Sequence, residues 1–171
     1  LKASALRPGT VHIEYERVDV AQAPQVDALF RAIVARHGRL DGILHAAGIV
    51  RDNFIATKTI EELEQTLAPK VAGTMHLHRA SQGLDLDFLI LFSSIASGLG
   101  NAGQADYAMA NGFLDAFART ASSDARSPRR VLSINWPLWQ EGGMSIDEQT
   151  EQWMRDNTGM VPMRTTTGID A

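Results

Sequence analysis

Asp87-Phe-Leu-Ile-Leu-Phe-Ser93 sets five apolar residues in a row between two polar ones. A run this short and continuously apolar marks a strand covered on both faces in a parallel sheet, because a surface helix spreads its apolar positions over three- and four-residue steps. Downstream, Gly98, Gly100 and Gly103 punctuate a loop, a helix is expected from about Gln104 to Ala121, and Val131-Leu-Ser-Ile-Asn-Trp136 reads as a second buried strand. Upstream, Asp41-Gly-Ile-Leu-His-Ala-Ala-Gly48 reads as a short buried strand ending in small residues, where a ligand can approach the backbone closely. Further back, Val11-His-Ile-Glu-Tyr15 alternates apolar and polar positions and predicts a strand over 11–18.

Two helices fill the gaps. Val26, Leu29, Phe30, Ile33 and Val34 form one apolar stripe and predict a helix over 25–37, with Gly38 placed to stop it. Thr59 followed by Glu62 is a capping box opening a second helix, expected to turn Leu63, Leu67, Val71 and Met75 inward and to bend at Pro69. The alternation of strand and helix predicts an α/β fold with right-handed crossovers, a Rossmann-like doubly wound parallel sheet. Ligands of such sheets bind at the carboxyl ends of the strands, so the loops after Val18, Ala46, Phe92 and Ile134 are where chemistry is expected. Beyond Trp136 the chain is richer in Gly, Met, Thr and Gln and reads as a lid over 137–163 with a short helix near 147–157.

Bulk properties narrow the function. A chain of 171 residues, 44% hydrophobic, suits one domain with one sizeable core. Sixteen basic against twenty acidic side chains, without a long run of either sign, offer no basic stripe to nucleic acid. The absence of cysteine rules out disulfides and thiolate metal sites. No apolar run approaches the roughly 20 residues of a bilayer span, and a cytoplasmic protein with no membrane partner is expected. His76 and His78, two apart on a helix, point to different sides, so no metal is expected. Glu61, Glu62 and Glu64 read as a solvated first helical turn complementing the helix dipole.

The candidate chemistry lies around Tyr107. Ser94 follows the central strand, Tyr107 opens the next helix, and Asn111 lies one turn further on the same face. A phenol with an ordinary pKa of about 10 needs a nearby cation to act as an acid near neutrality. Lys70 is the candidate: at roughly 4 Å and an effective dielectric of about 20, an ammonium stabilises a phenolate by about 4 kcal/mol. Singly, a serine pair after a strand is an ordinary cap and a tyrosine at a helix start an ordinary core or interface residue.

Taken together and with their spacing, Phe92-Ser-Ser-Ile-Ala-Ser-Gly-Leu-Gly-Asn-Ala-Gly-Gln-Ala-Asp-Tyr107-Ala-Met-Ala-Asn111-Gly-Phe-Leu-Asp115 resembles the active-site stretch of ketoreductase domains of modular polyketide synthases, members of the short-chain dehydrogenase/reductase superfamily. His45-Ala-Ala-Gly48, Leu132-Ser-Ile-Asn-Trp-Pro-Leu-Trp139 and Glu141-Gly-Gly-Met144 resemble other parts of that family. Most of the superfamily puts lysine four residues after the tyrosine and asparagine on the preceding helix. Here Asn111 follows Tyr107 and Lys70 lies earlier, an exchange typical of ketoreductases of polyketide and fatty-acid synthases.

The resemblance implies NADPH-dependent reduction of a 3-ketoacyl thioester on an acyl carrier protein. Tyr107 would give the proton, Ser94 hold the ketone oxygen, Lys70 lower the tyrosine pKa, and Asn111 support the network or a relay water. Asp19 and Val20 would lie by the adenine, Ala46, Ala47 and Gly48 along ribose and diphosphate, with Lys70 and Tyr107 also at the cofactor, and Pro137 and Leu138 near the nicotinamide amide. Asp52 takes the place of the last aspartate of the family's Leu-Asp-Asp motif, whose first two letters differ here. Leu99 stands where the opposite stereochemical class carries tryptophan. With Gln104 these imply a B-type enzyme giving a D-configured alcohol; read without the resemblance, Asp52 is a turn or cap residue. The family carries its diphosphate-binding glycine loop on the first strand, so Leu1 is expected to fall in the helix before the third strand. The nucleotide-loop half and neighbouring synthase domains would then be partners. A non-catalytic structural piece of a synthase and a free-standing short-chain reductase are the competing readings.

Overall fold

The structure, a computed structural model, describes residues 12–122, 128, 130–144 and 146–171. Three parallel strands, β1 (Gly42–His45), β2 (Phe88–Ser94) and β3 (Arg130–Trp136), form a sheet in that order. Register sets Gly42 beside Phe88 and His45 beside Leu91, then Phe88 beside Arg130 and Ser94 beside Trp136. All three strands therefore end on one side of the sheet. The connections run through α1 (Ala23–His37), α2 (Ile60–Ser81), the short α3 (Ala96–Leu99) and α4 (Ala105–Ala121), and β3 is followed by α5 (Glu148–Thr158) and α6 (Thr165–Ile169).

Local chemistry accounts for the helix ends. Helix α1 stops at Gly38, in the left-handed region, whose amide donates to the Val34 carbonyl. Thr59 and Glu62 close a reciprocal capping box at the start of α2, and Glu61 and Glu64 are exposed, as the sequence predicts. Beneath the helices, Leu89, Leu91, Leu114, Ala118, Ala121 and Val131 form one buried cluster, and Val26, Phe30 and Leu77 another. Ile43 packs against both, so α1, α2 and α4 cover the same face of the sheet.

Three expectations change. Residues 12–18 join no sheet ladder, and Tyr15 is 88% exposed; Val11 lies outside the described residues. Alternation specifies which face a strand shows, but a ladder also needs a partner strand alongside, and among the described residues none pairs with this segment. Second, β2 is buried on one face only: Leu89, Leu91 and Ser93 are buried, whereas Ile90 and Phe92 on the other face are half-buried and Leu44 nearby is 60% exposed.

Third, α2 is rotated from its expected setting. Leu63, Leu67 and Val71 are half-buried and Met75 is 47% exposed, while Thr66, Pro69, Lys70, Gly73, Thr74 and Leu77 face inward. Close approach explains this: a Cβ on Gly73 would lie 2.9 Å from Val20 Cγ2, so the helix packs through its small residues. The helix runs through Pro69 as a single element.

Leu89, fully buried at the centre of β2, touches the main cluster from the middle of the sheet. Leu89→Ala is expected to lower the free energy of unfolding by about 2–5 kcal/mol, read from the urea midpoint by tryptophan fluorescence.

Candidate functional site

The strand ends define the site. After β2, the Ile95 amide donates to the Trp136 carbonyl, and the side-chain amide of Asn135 donates to the Ser94 carbonyl, so the tips of β2 and β3 are tied together. Ser94 Oγ accepts the Ala96 amide at 3.2 Å. This is the capping role open to such a serine, and its own O–H proton remains available to a ligand.

Lys70 comes to these tips from α2. It is buried, and its Nζ donates to the Phe92 carbonyl at 2.8 Å, two residues before Ser94. It also lies against the loop after β1, where a Cβ on Gly48 would be 3.0 Å from Lys70 Cε. Burial pushes the ammonium down to about 8, with the Asp115 carboxylate pulling the other way, so Lys70 carries its charge at neutral pH. His45, at the end of β1, is buried and its Nε2–H donates to the Pro69 carbonyl at 3.1 Å. Burial, reinforced by the Lys70 charge, pushes this imidazole down to about 4 and leaves it neutral.

Tyr107 stands in the first turn of α4, its ring buried, and its hydroxyl donates to Met144 Sδ at 3.7 Å. Lys70 is thus hydrogen-bonded to the β2 backbone and not to the phenol. Asn111 is fully buried; its Nδ2 donates to the Tyr107 carbonyl, and Ser93 Oγ donates to the Asn111 carbonyl. Its side-chain Oδ1 is buried and receives no hydrogen bond from the described residues. An acceptor stranded in this way is costly unless a donor reaches it.

The remaining predicted residues fall in three places. Asp52 and Gln104 meet: Gln104 Nε2 donates to Asp52 Oδ2 at 2.9 Å. Asp19 takes the amide of Ala21 on its carboxylate just before α1, and Val20 packs on Gly73, its carbonyl held by His76. Ala46, Ala47 and Gly48 follow β1 directly, and Pro137 and Leu138 follow β3, where the Leu138 carbonyl accepts the Met163 amide. Leu99 ends α3 with its side chain exposed. His78 packs edge-on against Phe117.

Gly98, Gly100 and Gly103 have the Gly-x-Gly-x-x-Gly spacing of a phosphate loop. Here Gly98 lies inside α3 and a Cβ on Gly98 or Gly100 would meet open space, so these are turn glycines and not a cradle packed between strand and helix.

Three polar residues escaped the sequence reading as site residues. Asp115 accepts from Ser97 and Ser133 at 2.6 Å each and from Asn135 at 3.0 Å, binding α4 to α3 and β3. Lys58 and Asp106 form an ion pair at 2.9 Å with both side chains buried. Only the adjacency of Asp106 to Tyr107 hinted at the latter.

A buried lysine, a serine at a strand tip and a tyrosine opening a helix thus gather at the carboxyl edge of a parallel sheet. The sequence profile of the KR domain matches residues 2–141. The chain belongs to the KR domain family, the ketoreductase domains of polyketide synthases. It is 47% identical over 173 residues to polyketide synthase PksL of Bacillus subtilis (strain 168), covering 99% of this chain and 4% of PksL. A ketoreductase domain from the bacillaene assembly line superposes with a TM-score of 0.87 at 46% identity, over 91% of this chain and 38% of that one. The Rossmann-like α/β class is therefore borne out. An A-type ketoreductase from a modular polyketide synthase also superposes, with a TM-score of 0.80 at 29% identity over 91% of this chain and 32% of that one. The KR chain described here spans a small fraction of the synthases it matches.

His45 provides a test of the buried site. Its folded pKa of about 4 lies below the ordinary value of 6.5, so the unfolded chain binds the extra proton and stability falls as pH drops through that window. His45→Gln is expected to flatten the loss of unfolding free energy between about pH 6.5 and 4 by a few kcal/mol. Denaturant titrations at both ends of the window measure it.

Proposed function

We propose that this KR chain carries the catalytic residues for reducing a 3-ketoacyl thioester on an acyl carrier protein to a D-configured 3-hydroxyacyl thioester with NADPH. The observation that supports the reading is that Lys70 is bonded to β2 two residues before Ser94, while the Ser93–Asn111 and Asn111–Tyr107 hydrogen bonds tie that strand to the first turns of α4. The setting is the cytoplasm, among the other domains of a synthase.

Tyr107 Oη gives its proton to the oxygen that becomes the alcohol. That proton now points at Met144 Sδ, so an entering ketone displaces the methionine from the phenol. Ser94 O–H donates to the same oxygen, holding it while negative charge develops there. Lys70, charged and shielded from water, lowers the cost of the phenolate that forms. Asn111 Oδ1 accepts from a water or hydroxyl group that returns the proton.

The residues present fit a dinucleotide. Small side chains at Ala46 and Ala47 and the bare Gly48 leave backbone open beside Lys70, where any Cβ on Gly48 would press on the lysine stem. Asp19 and Val20 would flank the adenine, and Pro137 and Leu138 the nicotinamide amide. The cofactor, when bound, supplies the hydride. Asp52 and Gln104, joined by a hydrogen bond, and Leu99 in place of tryptophan support the B-type outcome.

In the full-length protein, with a 3-ketoacyl cysteamine thioester and NADPH, Tyr107→Phe is expected to lower turnover by about 100-fold or more. No turnover in well-folded wild-type protein would favour a purely structural role. Chiral chromatography of the product checks the stereochemistry, and an L-configured alcohol overturns the B-type assignment.

A further inference from the structure

Loop 51–58 carries Asp52, and α4 carries Tyr107. Three hydrogen bonds join this loop to α4 and the two residues that lead into it: the Asn53 amide to the Gly103 carbonyl at 2.9 Å, Gln104 Nε2 to Asp52 Oδ2 at 2.9 Å, and Lys58 Nζ to Asp106 Oδ2 at 2.9 Å. The first depends on Gly103 adopting φ +78, which turns the chain toward Asn53. The second lies at the surface and competes with water. The third is different, since the Lys58 and Asp106 side chains are 2% and 1% exposed.

Lys58 Nζ also donates to the Arg51 carbonyl, next to Asp52. One buried ammonium therefore grips the loop on the amino side of Asp52 and the helix residue on the amino side of Tyr107. Burial pushes the Asp106 carboxyl up, but hydrogen bonds from Lys58, Thr66 and the Tyr107 amide hold it below the usual carboxylate range, so Asp106 is a carboxylate. Removing two charges from water costs about as much as their attraction returns, so such a pair does more to fix one arrangement than to add stability.

We propose that Lys58 is a positioning residue for the reaction, holding the loop of Asp52 in fixed register with Tyr107 and thereby setting which face of the ketone meets the hydride. The inference rests on the reading of Tyr107 and Asp52 given above. Lys58 need touch neither substrate nor cofactor. Its effect passes through the Arg51 carbonyl to the loop and through Asp106 to the first turn of α4.

The test uses the full-length protein carrying Lys58→Met, Lys58→Arg or the Lys58→Met/Asp106→Asn pair. The pair leaves no buried charge unpartnered, so it stays informative if Lys58→Met alone fails to fold. Enantiomer ratio and kcat with a 3-ketoacyl cysteamine thioester are measured beside Tm and amide hydrogen exchange of residues 51–58. Expected for the pair is a Tm near that of wild type, faster exchange in 51–58, a minor enantiomer raised about tenfold, and kcat lowered by about 10- to 100-fold with little change in KM. Lys58→Arg should restore most of the selectivity. A folded pair variant with wild-type enantiomer ratio and kcat overturns the proposal while the reductase reading stands. Wild-type protein that is inactive, or active without dependence on Tyr107, overturns the reading and the proposal together.

Discussion

The buried ammonium of Lys70 on the Phe92 carbonyl is the interaction on which the site is organised. It carries a charge from α2 into the carboxyl edge of the sheet and spends one of its three protons on backbone, fixing the head while leaving donors free. Burial lowers the pKa of Lys70 and, aided by the Lys70 charge, that of His45, so one cation and one neutral imidazole lie at the same sheet edge. A carboxylate further off, Asp115, supports the charge without neutralising it by direct contact. Because Asp115 is also held by Ser97, Ser133 and Asn135, the same anion that steadies Lys70 fastens α4 to α3 and β3.

This arrangement requires α2 to lie close to the sheet. The helix achieves it by presenting Thr66, Gly73, Thr74 and the aliphatic stem of Lys70 inward, at the expense of Met75, which is left to solvent. Packing by small residues brings backbones together and limits the room for adjustment.

Much of this was legible in the sequence. The apolar run before Ser94 gave β2, the Thr59–Glu62 box placed the start of α2, and Gly38 marked the end of α1, because each rests on local backbone chemistry. As candidates, Lys70, Ser94, Tyr107 and Asn111 stand out through residue type and spacing, although the structure sets Lys70 on the Phe92 carbonyl and the Tyr107 hydroxyl on Met144, and Asp52 and Gln104 are joined by a hydrogen bond. What was hidden depends on tertiary contact. Lys58 and Asp106 lie 48 positions apart, and no period links them. The inward face of α2 was misread because hydrophobicity picked Met75 where shape picked Gly73. The segment 12–18 has the pattern of a strand but no neighbour to make it one among the described residues.

The clasp between Trp139 and Met163 has a broader consequence. A parallel bridge and two backbone hydrogen bonds join these positions just beyond β3, and Gly168 lets the Trp139 ring lie flush against the chain. The span between the two clasped residues, α5 included, is thereby closed off at its base. Lengthening such a closed span costs little entropy. The span can thus change in sequence and length while the strand that supports it keeps its register.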